Sequence, residues 1–189
     1  MGTLIVTENI TLDGVIEQTG DWFTPAGAKK DVDNGDIETT LRHQMSTQTA
    51  LLLGRKTFES FRGYWPAQTH DTTGITGHLN RVSKYVLSRT LDEPAWENTT
   101  LLRGELTDVI RQLKQQVDGE IGVTGSITLV HGLIAAGLVN EYRLFVHPVV
   151  VGSGRRLFED AACVPKLTLT AATPYRSGVV LLAYRPVGA

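Results

Sequence analysis

The chain has 189 residues, 41% hydrophobic and 20% charged, which predicts one domain over 1–189 with a packed core and excludes a disordered or fibrous chain. Eighteen Lys+Arg against twenty Asp+Glu leave a formal charge of -2, so no global field draws in nucleic acid or an anionic membrane. The single cysteine, Cys163, excludes an internal disulfide and a cysteine-rich metal site, and with no basic leader and no membrane-length apolar run the expected location is cytoplasmic.

Thr3 to Asn9, rich in Leu, Ile, Val and Thr, reads as a buried opening strand that exits at the turn signal Asp13-Gly14. The loop Thr11 to Lys30 is irregular, with Gly14, Gly20, Pro25 and Gly27. It carries Trp22 and Phe23, aromatic surface for a planar substrate or for packing on the core. Asp31, Asp33, Asp36 and Glu38 ahead of Leu41, Arg42 and His43 suit the dipole of a helix over Asp31 to Gln48. Ala50 to Leu53 is an unbroken apolar run ended by Gly54, which fits a strand covered on both faces, with a helix from Arg55 or Lys56. A loop over Arg62 to Gly77, a short helix around His78 to Val82 and strands at Lys84 to Ser88 and Thr99 to Arg103 follow.

Leu106, Val109, Ile110, Leu113 and Val117 recur at helical spacing, and Gly119 ends that helix. Ile121-Gly122-Val123 is a further buried strand, feeding through Gly125-Ser126 into a helix over Ile127 to Ala136 closed by Gly137. Glu141 to Val151, Lys166 to Ala172 and Val179 to Tyr184 are strand-like without helices between them, which predicts an antiparallel edge. The whole reads as a three-layer α/β/α domain around a mostly parallel sheet of about eight strands. A bare edge at Phe145 to Val151 would be an aggregation hazard that a homodimer would cover.

Three strand ends carry the chemistry. Leu53-Gly54-Arg55-Lys56-Thr57-Phe58 runs from a buried strand into a helix start, where backbone N–H groups, two cations and a hydroxyl suit a phosphate-bearing cofactor; an ordinary helix start with exposed basic residues has the same pattern. Val86-Leu87-Ser88-Arg89 places a hydroxyl and a guanidinium at the next strand end. Val123-Thr124-Gly125-Ser126-Ile127 lets a backbone approach a pyrophosphate, although a serine N-cap is the ordinary structural use of Ser126. Neither GxGxxG nor a P-loop lysine is present, and none of the five histidines, His43, His70, His78, His131 and His147, forms a zinc-ligand pair, so no metal is expected. Asp13 before Gly14 is ordinary turn chemistry. Cys163 has no base partner in sequence and reads as an inert thiol.

Taken in order with Thr11-Leu12-Asp13-Gly14 and Gly137 to Glu141 through His147 to Gly154, these segments make the chain similar to the dihydrofolate reductase-like proteins. Within them it resembles the C-terminal reductase domain of the bacterial riboflavin-biosynthesis deaminase-reductase, over nearly the whole length. The resemblance implies a dihydrofolate reductase-like fold and NADPH as cofactor. Gly54, Arg55, Lys56 and Thr57 would meet the 2'-phosphate and pyrophosphate, with Arg55 first for the 2'-phosphate. Ser88 and Arg89 would meet the adenosine end, and Gly125, Ser126, Ile127 and Thr128 the pyrophosphate. Asn9 and Ile16 would face the nicotinamide, with the hydride leaving near Asp13, which the resemblance makes the catalytic candidate.

Two departures bear on the substrate. No Pro-Trp segment precedes a carboxylate on the first helix, which argues against pterin reduction, and Val15 and Thr124 stand where riboflavin-pathway reductases carry Lys and Glu. The expected activity is hydride transfer to a small heterocycle, of the 5-amino-6-(5-phosphoribosylamino)uracil reductase type. Dihydrofolate reductase activity on a pterin and a non-catalytic NADPH-binding module are the alternatives. Relatives that dimerise also support a homodimer.

Overall fold

A computed structural model of the chain describes residues 1–23, 34–159 and 166–188. Its elements in chain order are β1 (Thr3–Thr11), α1 (Gly35–Thr47), β2 (Gln48–Gly54), α2 (Arg55–Tyr64), a 3₁₀ turn (Trp65–Ala67), α3 (Ile75–Arg81), β3 (Ser83–Leu87) and β4 (Thr99–Leu102). They continue with α4 (Leu106–Gln116), β5 (Glu120–Val123), α5 (Ile127–Ala135), β6 (Glu141–His147), β7 (Leu167–Pro174) and β8 (Val180–Pro186). One eight-stranded sheet has the order β4-β3-β2-β5-β1-β6-β8-β7. The first six of these strands are parallel; at one side β8 runs antiparallel to β6, and β7 antiparallel to β8.

Strand alternation divides the core between the two faces. Leu4, Val6, Ile10, Ala50, Leu52 and Leu144 turn toward Ile110 and Leu113 of α4 and Leu129, Val130 and Leu133 of α5. On the other face Leu51 and Leu53 meet Phe58 of α2 and Leu79 of α3, while Phe145 and Leu181 meet Ile37 and Leu41 of α1. The apolar run of β2 is explained: between β5 and β3, with helices above and below, every position along Ala50 to Leu53 is buried. Among the described residues no helix is long and apolar enough to cross a membrane, and no cluster of His, Cys, Asp and Glu is built to hold a metal.

Three expectations need correction. The strand from Glu141 stops at His147, because Pro148 has no N–H to give a ladder, and the segment that follows instead accepts the Leu12 N–H at the Val149 carbonyl. That strand, β6, lies inside the sheet between β1 and β8, so the bare edge invoked for a homodimer does not exist there; the edges are β4 and β7. The short helix before β3 begins at Ile75, three residues earlier than predicted, because the Asp71 carboxylate takes the N–H groups of Thr73 and Thr76 and Gly74 turns the chain with φ of 86°. The first helix is described from Gly35; Asp31, Asp33, Pro25, Gly27 and Cys163 lie outside the described residues.

Candidate functional site

β5 is the strand at which the connections change sides. It leads into α5 on one face, while its neighbours β2 and β1 lead toward α2 and α1 on the other. A crevice opens at such a switch point, outside the carboxyl ends of the strands, and it is where open α/β sheets bind ligands. Here its lips are Gly54 at the end of β2, the Thr124-Gly125 turn after β5 and Asn9 near the end of β1.

The first two lips touch. The Gly54 N–H donates to the Gly125 carbonyl at 3.1 Å, and the peptide between Gly125 and Ser126 is cis. A Cβ on Gly54 would collide with Ser126, and one on Gly125 would stand 2.7 Å from Thr57 Oγ1. Both glycines are needed for the starts of α2 and α5 to approach this closely, so the sequence motif at Gly54 to Thr57 and the one at Gly125 to Thr128 are one structure. Neither helix has a side chain bonded to its first-turn N–H groups. Two sets of unsatisfied donors therefore open side by side at positive dipole ends, which is the donor set a pyrophosphate requires. Arg55 and Lys56 stand exposed at the same edge, and the Arg55 guanidinium leans on Glu59 at 3.5 Å with 45% of its side chain exposed. Such an ion pair is weak, so the guanidinium is available to an arriving phosphate.

The adenosine-end expectation is modified. Ser88 is buried and its Oγ accepts the Thr90 and Leu91 N–H groups, so the hydroxyl shapes the turn and is not presented outward. Arg89 is exposed and paired with Glu105 at 3.1 Å. Between them lies a cleft of about 190 Å³ lined by Leu87, Ser88, Arg89, Gly104, Glu105 and Leu106. Arg103 was missed by the sequence reading and braces the turn beside this cleft: its guanidinium donates to the carbonyls of Ser88, Arg89 and Leu91. The signal was present, since Arg103-Gly104-Glu105 before α4 repeats the strand–glycine–helix pattern recognised elsewhere.

At the third lip, Asn9 Oδ1 and His147 Nε2 are hydrogen bonded at 2.9 Å. The His147 ring meets Trp22 and Phe23 edge-on at 5.6 and 5.7 Å, and the Trp22 indole donates to the Glu17 carbonyl. Trp22 and Phe23 thus pack on the ring that bonds to Asn9, and His147, not singled out in the sequence as a site residue, joins the two. Burial holds the His147 pKa below the usual histidine value. Tyr64 and Trp65, in the segment read as a loop over Arg62 to Gly77, pack on each other, and Trp65 packs on Phe61, at the far end of α2 from Gly54. Ile16 is buried in the core, with its N–H given to the Arg155 carbonyl, so only its backbone oxygen is left to face the crevice. Arg155 also reaches Thr128 Oγ1 at 3.5 Å, tying the strand-one exit loop to the start of α5.

Asp13 stands at the exit of β1, and its carboxylate is fully engaged. It accepts the Thr11 hydroxyl at 2.6 Å and the Gly152 and Val151 N–H groups, and Arg156 lies 3.7 Å away. The Thr11 hydroxyl, then the Gly152 N–H, hold its pKa down at about 2. A group ionised throughout the neutral range supplies no proton, so Asp13 is a positioning residue that pins the segment after β6. This contribution is present above the ordinary carboxylate value of 3.8 and is lost as pH falls toward 2. Asp13→Asn is expected to speed amide hydrogen exchange at Val151 and Gly152 roughly tenfold at pH 7. Unchanged exchange at both amides would contradict this role. Asp36, the described carboxylate nearest the start of α1, accepts from the Arg176 and Ile37 N–H groups and is likewise committed to structure.

Comparison with known proteins places this geometry. The model of the RibD C-terminal domain family matches residues 2–181. The uncharacterized protein YyaP of Bacillus subtilis (strain 168) is 31% identical over 186 residues, covering 96% of this chain and 93% of that protein. Among solved structures, a Thermotoga maritima diaminohydroxyphosphoribosylaminopyrimidine deaminase/5-amino-6-(5-phosphoribosylamino)uracil reductase superposes with a TM-score of 0.64 at 17% identity, over 97% of this chain and 56% of that one. Dihydrofolate reductase from Enterococcus faecalis, complexed with NADP(H) and RAB-propyl, superposes with a TM-score of 0.62 at 15% identity, over 98% and 96%. The fold is dihydrofolate reductase-like.

Proposed function

The chain belongs to the RibD C-terminal domain family, and from that premise we propose that it is an NADPH-dependent reductase of a small heterocyclic substrate. The observation that carries the reading is the joined pair of uncapped helix starts at Gly54 and Gly125, at the switch point of the sheet. The residues fit the cofactor. Gly54 to Thr57 and Gly125 to Thr128 would hold the pyrophosphate, Arg55 the 2'-phosphate, the cleft beside Arg89 the adenosine, and Asn9 with the Ile16 carbonyl the nicotinamide. NADPH supplies the hydride when bound; the chain's part is to orient it, exclude water and manage the proton. The uncapped N–H groups fix the phosphates, Trp22 and Phe23 wall off water beside Asn9, and Asp13 holds the adjoining segment in place.

The substrate reading is a pyrimidine of the 5-amino-6-(5-phosphoribosylamino)uracil type. Reduction of a pterin is the second reading, and it lacks a free carboxylate at the described start of α1, where Asp36 is bound to Arg176 and Ile37. A binding module without turnover would hold the same cofactor, so oxidation of NADPH on addition of candidate substrates separates it from an enzyme. A homodimer is also part of this proposal, with β7 as the exposed edge available for pairing, and light scattering reads it.

The deciding experiment titrates wild type and Arg55→Ala with NADPH and with NADH by cofactor fluorescence, at low and high salt. Loss of a charge-assisted phosphate contact is expected to weaken NADPH roughly ten- to hundredfold and NADH less than about twofold, with a smaller gap at high salt. Equal weakening of both cofactors would remove Arg55 from the 2'-phosphate. No binding of either by wild type would refute the cofactor.

A further inference from the structure

β6 ends on His147, a half-buried ring that cofactor binding does not use. It lies on the face of β6 that holds Phe145, the side of the sheet covered by α1. β1 runs alongside, with Thr11 opposite His147 and Asn9 opposite Phe145, so the ring leans back along β1 to reach Asn9. Its Nε2 is 2.9 Å from Asn9 Oδ1, and with that oxygen accepting, the neutral ring carries its proton on Nε2. Trp22 and Phe23 meet the ring at 76° and 89°. One nitrogen is fixed and the ring is held by two neighbours, while no described group bonds the other nitrogen, Nδ1.

The order of the strands sets what stands next to this nitrogen. Along the carboxyl edge of the sheet, the cleft beside Arg89 follows β3, the joined helix starts follow β2 and β5, Asn9 is near the end of β1, and His147 ends β6. A dinucleotide with its adenosine in that cleft and its pyrophosphate at the helix starts brings its nicotinamide to β1. Adjacent strands are about 4.8 Å apart, so the end of β6 is the next place along, on the side away from the phosphates. An acceptor must touch the dihydronicotinamide there, with reacting atoms about 3–3.5 Å apart.

We propose that His147 is the proton donor of the reaction, giving the proton on Nδ1 to the heteroatom beside the acceptor carbon while Nε2–H stays on Asn9. This rests on the NADPH reading above. One C–H bond breaks at the cofactor and one forms at the acceptor carbon, the hydride carrying both electrons, so the cofactor is oxidised and the acceptor double bond reduced. The Nδ1–H bond breaks and an N–H or O–H bond forms at the acceptor heteroatom. His147 passes from imidazolium to neutral imidazole and regains its proton from solvent.

The ionisable groups on the elements around the ring are engaged elsewhere. Glu8 of β1 is on the opposite face, toward α4 and α5, where its Oε1 is shut off from solvent without a partner. Asp13 and Glu17 of the exit loop accept the Gly152 and Arg155 N–H groups, Asp36 of α1 accepts from Arg176, and the Tyr175 hydroxyl donates to Thr40. No described carboxylate, Asp21 and Glu38 included, holds charge on the ring; burial lowers its pKa below the ordinary 6.5. The ring is therefore mostly neutral at pH 7, and the fraction able to donate grows as pH falls.

Protein labelled with ¹⁵N-histidine is titrated from pH 5.5 to 8 with NADPH bound and with NADP⁺ bound, and loss of one ring's signals in folded His147→Gln or His147→Asn assigns them. His147 is expected as the Nε2–H tautomer, titrating about one pH unit lower beside the pyridinium than beside the neutral dihydronicotinamide. Identical titration in the two complexes would overturn the proposal, as would the Nδ1–H tautomer. Turnover is followed as NADPH oxidation with 5-amino-6-(5-phosphoribosylamino)uracil as the acceptor. Wild-type kcat/KM should fall toward about tenfold per pH unit above the His147 pKa. His147→Gln keeps an amide donor for Asn9 but has no proton to give. It should lose roughly a hundred- to ten-thousandfold in kcat/KM, and the pH slope with it, while NADPH affinity stays within about twofold. Wild-type kcat/KM in His147→Gln would leave the ring a structural role only and overturn the proposal. No oxidation by wild type would remove this acceptor and leave the ring titration to decide. Failure of wild type to bind either cofactor would instead refute the NADPH reading and take this one with it.

Discussion

Glu8→Gln is expected to make the folded chain about 3 kcal/mol more stable than wild type at pH 7 and no more stable at pH 4. The reason lies in the buried carboxyl alone and holds whatever the crevice binds. A glutamate in the unfolded chain titrates at 4.5, whereas burial holds folded Glu8 protonated up to about 8. Between these values the folded state keeps a proton that the unfolded state has lost. The stability associated with Glu8 is therefore complete below 4.5 and falls by about 1.4 kcal/mol for each pH unit until the folded value is passed. Glutamine has no such proton and shows no such slope. Urea melts of both proteins at pH 4, 5.5 and 7 measure the divergence; parallel curves across that range would show that Glu8 is ionised and solvated in the folded state.

Gly125→Ala is expected to lower NADPH affinity at least about tenfold and to cost about 1–3 kcal/mol of stability. Gly125 has φ of 119°, a region that L side chains rarely adopt, and an added Cβ would meet Thr57 Oγ1 at 2.7 Å. The Thr57 hydroxyl can rotate away, but the backbone strain has no such relief. It is discharged by turning the Gly125-Ser126 segment, which moves the start of α5 away from that of α2. Gly137→Ala is the control. Its φ of 62° is also positive, yet nothing lies within 4 Å of the added Cβ and it closes α5 at the end away from the crevice. It should lose stability while keeping NADPH affinity. Equal affinity in Gly125→Ala and wild type, by fluorescence titration, would show that the joined helix starts are not the binding cradle.

Much of this site was legible because its signals are local. A strand that runs into glycine and then into a helix announces a set of free N–H groups within six residues, and Gly54 and Gly125 could be marked on that ground. The same pattern at Gly104 identified nothing until Arg103 was seen gripping three carbonyls of the preceding turn. The roles of Ser88 and Asp13 were not legible, since a hydroxyl or carboxylate presented to a ligand and one consumed by its own turn have the same sequence. The Asn9–His147 contact joins residues 138 positions apart, and no spacing rule reaches that far.

The number and kind of elements follow from local pattern, and with them a mostly parallel sheet with helices on both sides. Leu106, Val109, Ile110, Leu113 and Val117 can bury one face only as a helix, and Ala50 to Leu53 only as a strand covered twice. Strand order came only with the packed chain, and with it that β6 lies inside the sheet, that Gly54 and Gly125 meet, and that Glu8 Oε1 is buried without a partner on the face toward α4 and α5. Periodicity reports that a face is buried and is silent about what buries it. Partner choice is settled by packing between distant segments, and an unpaired carboxyl becomes chemically unusual only once those segments have closed over it.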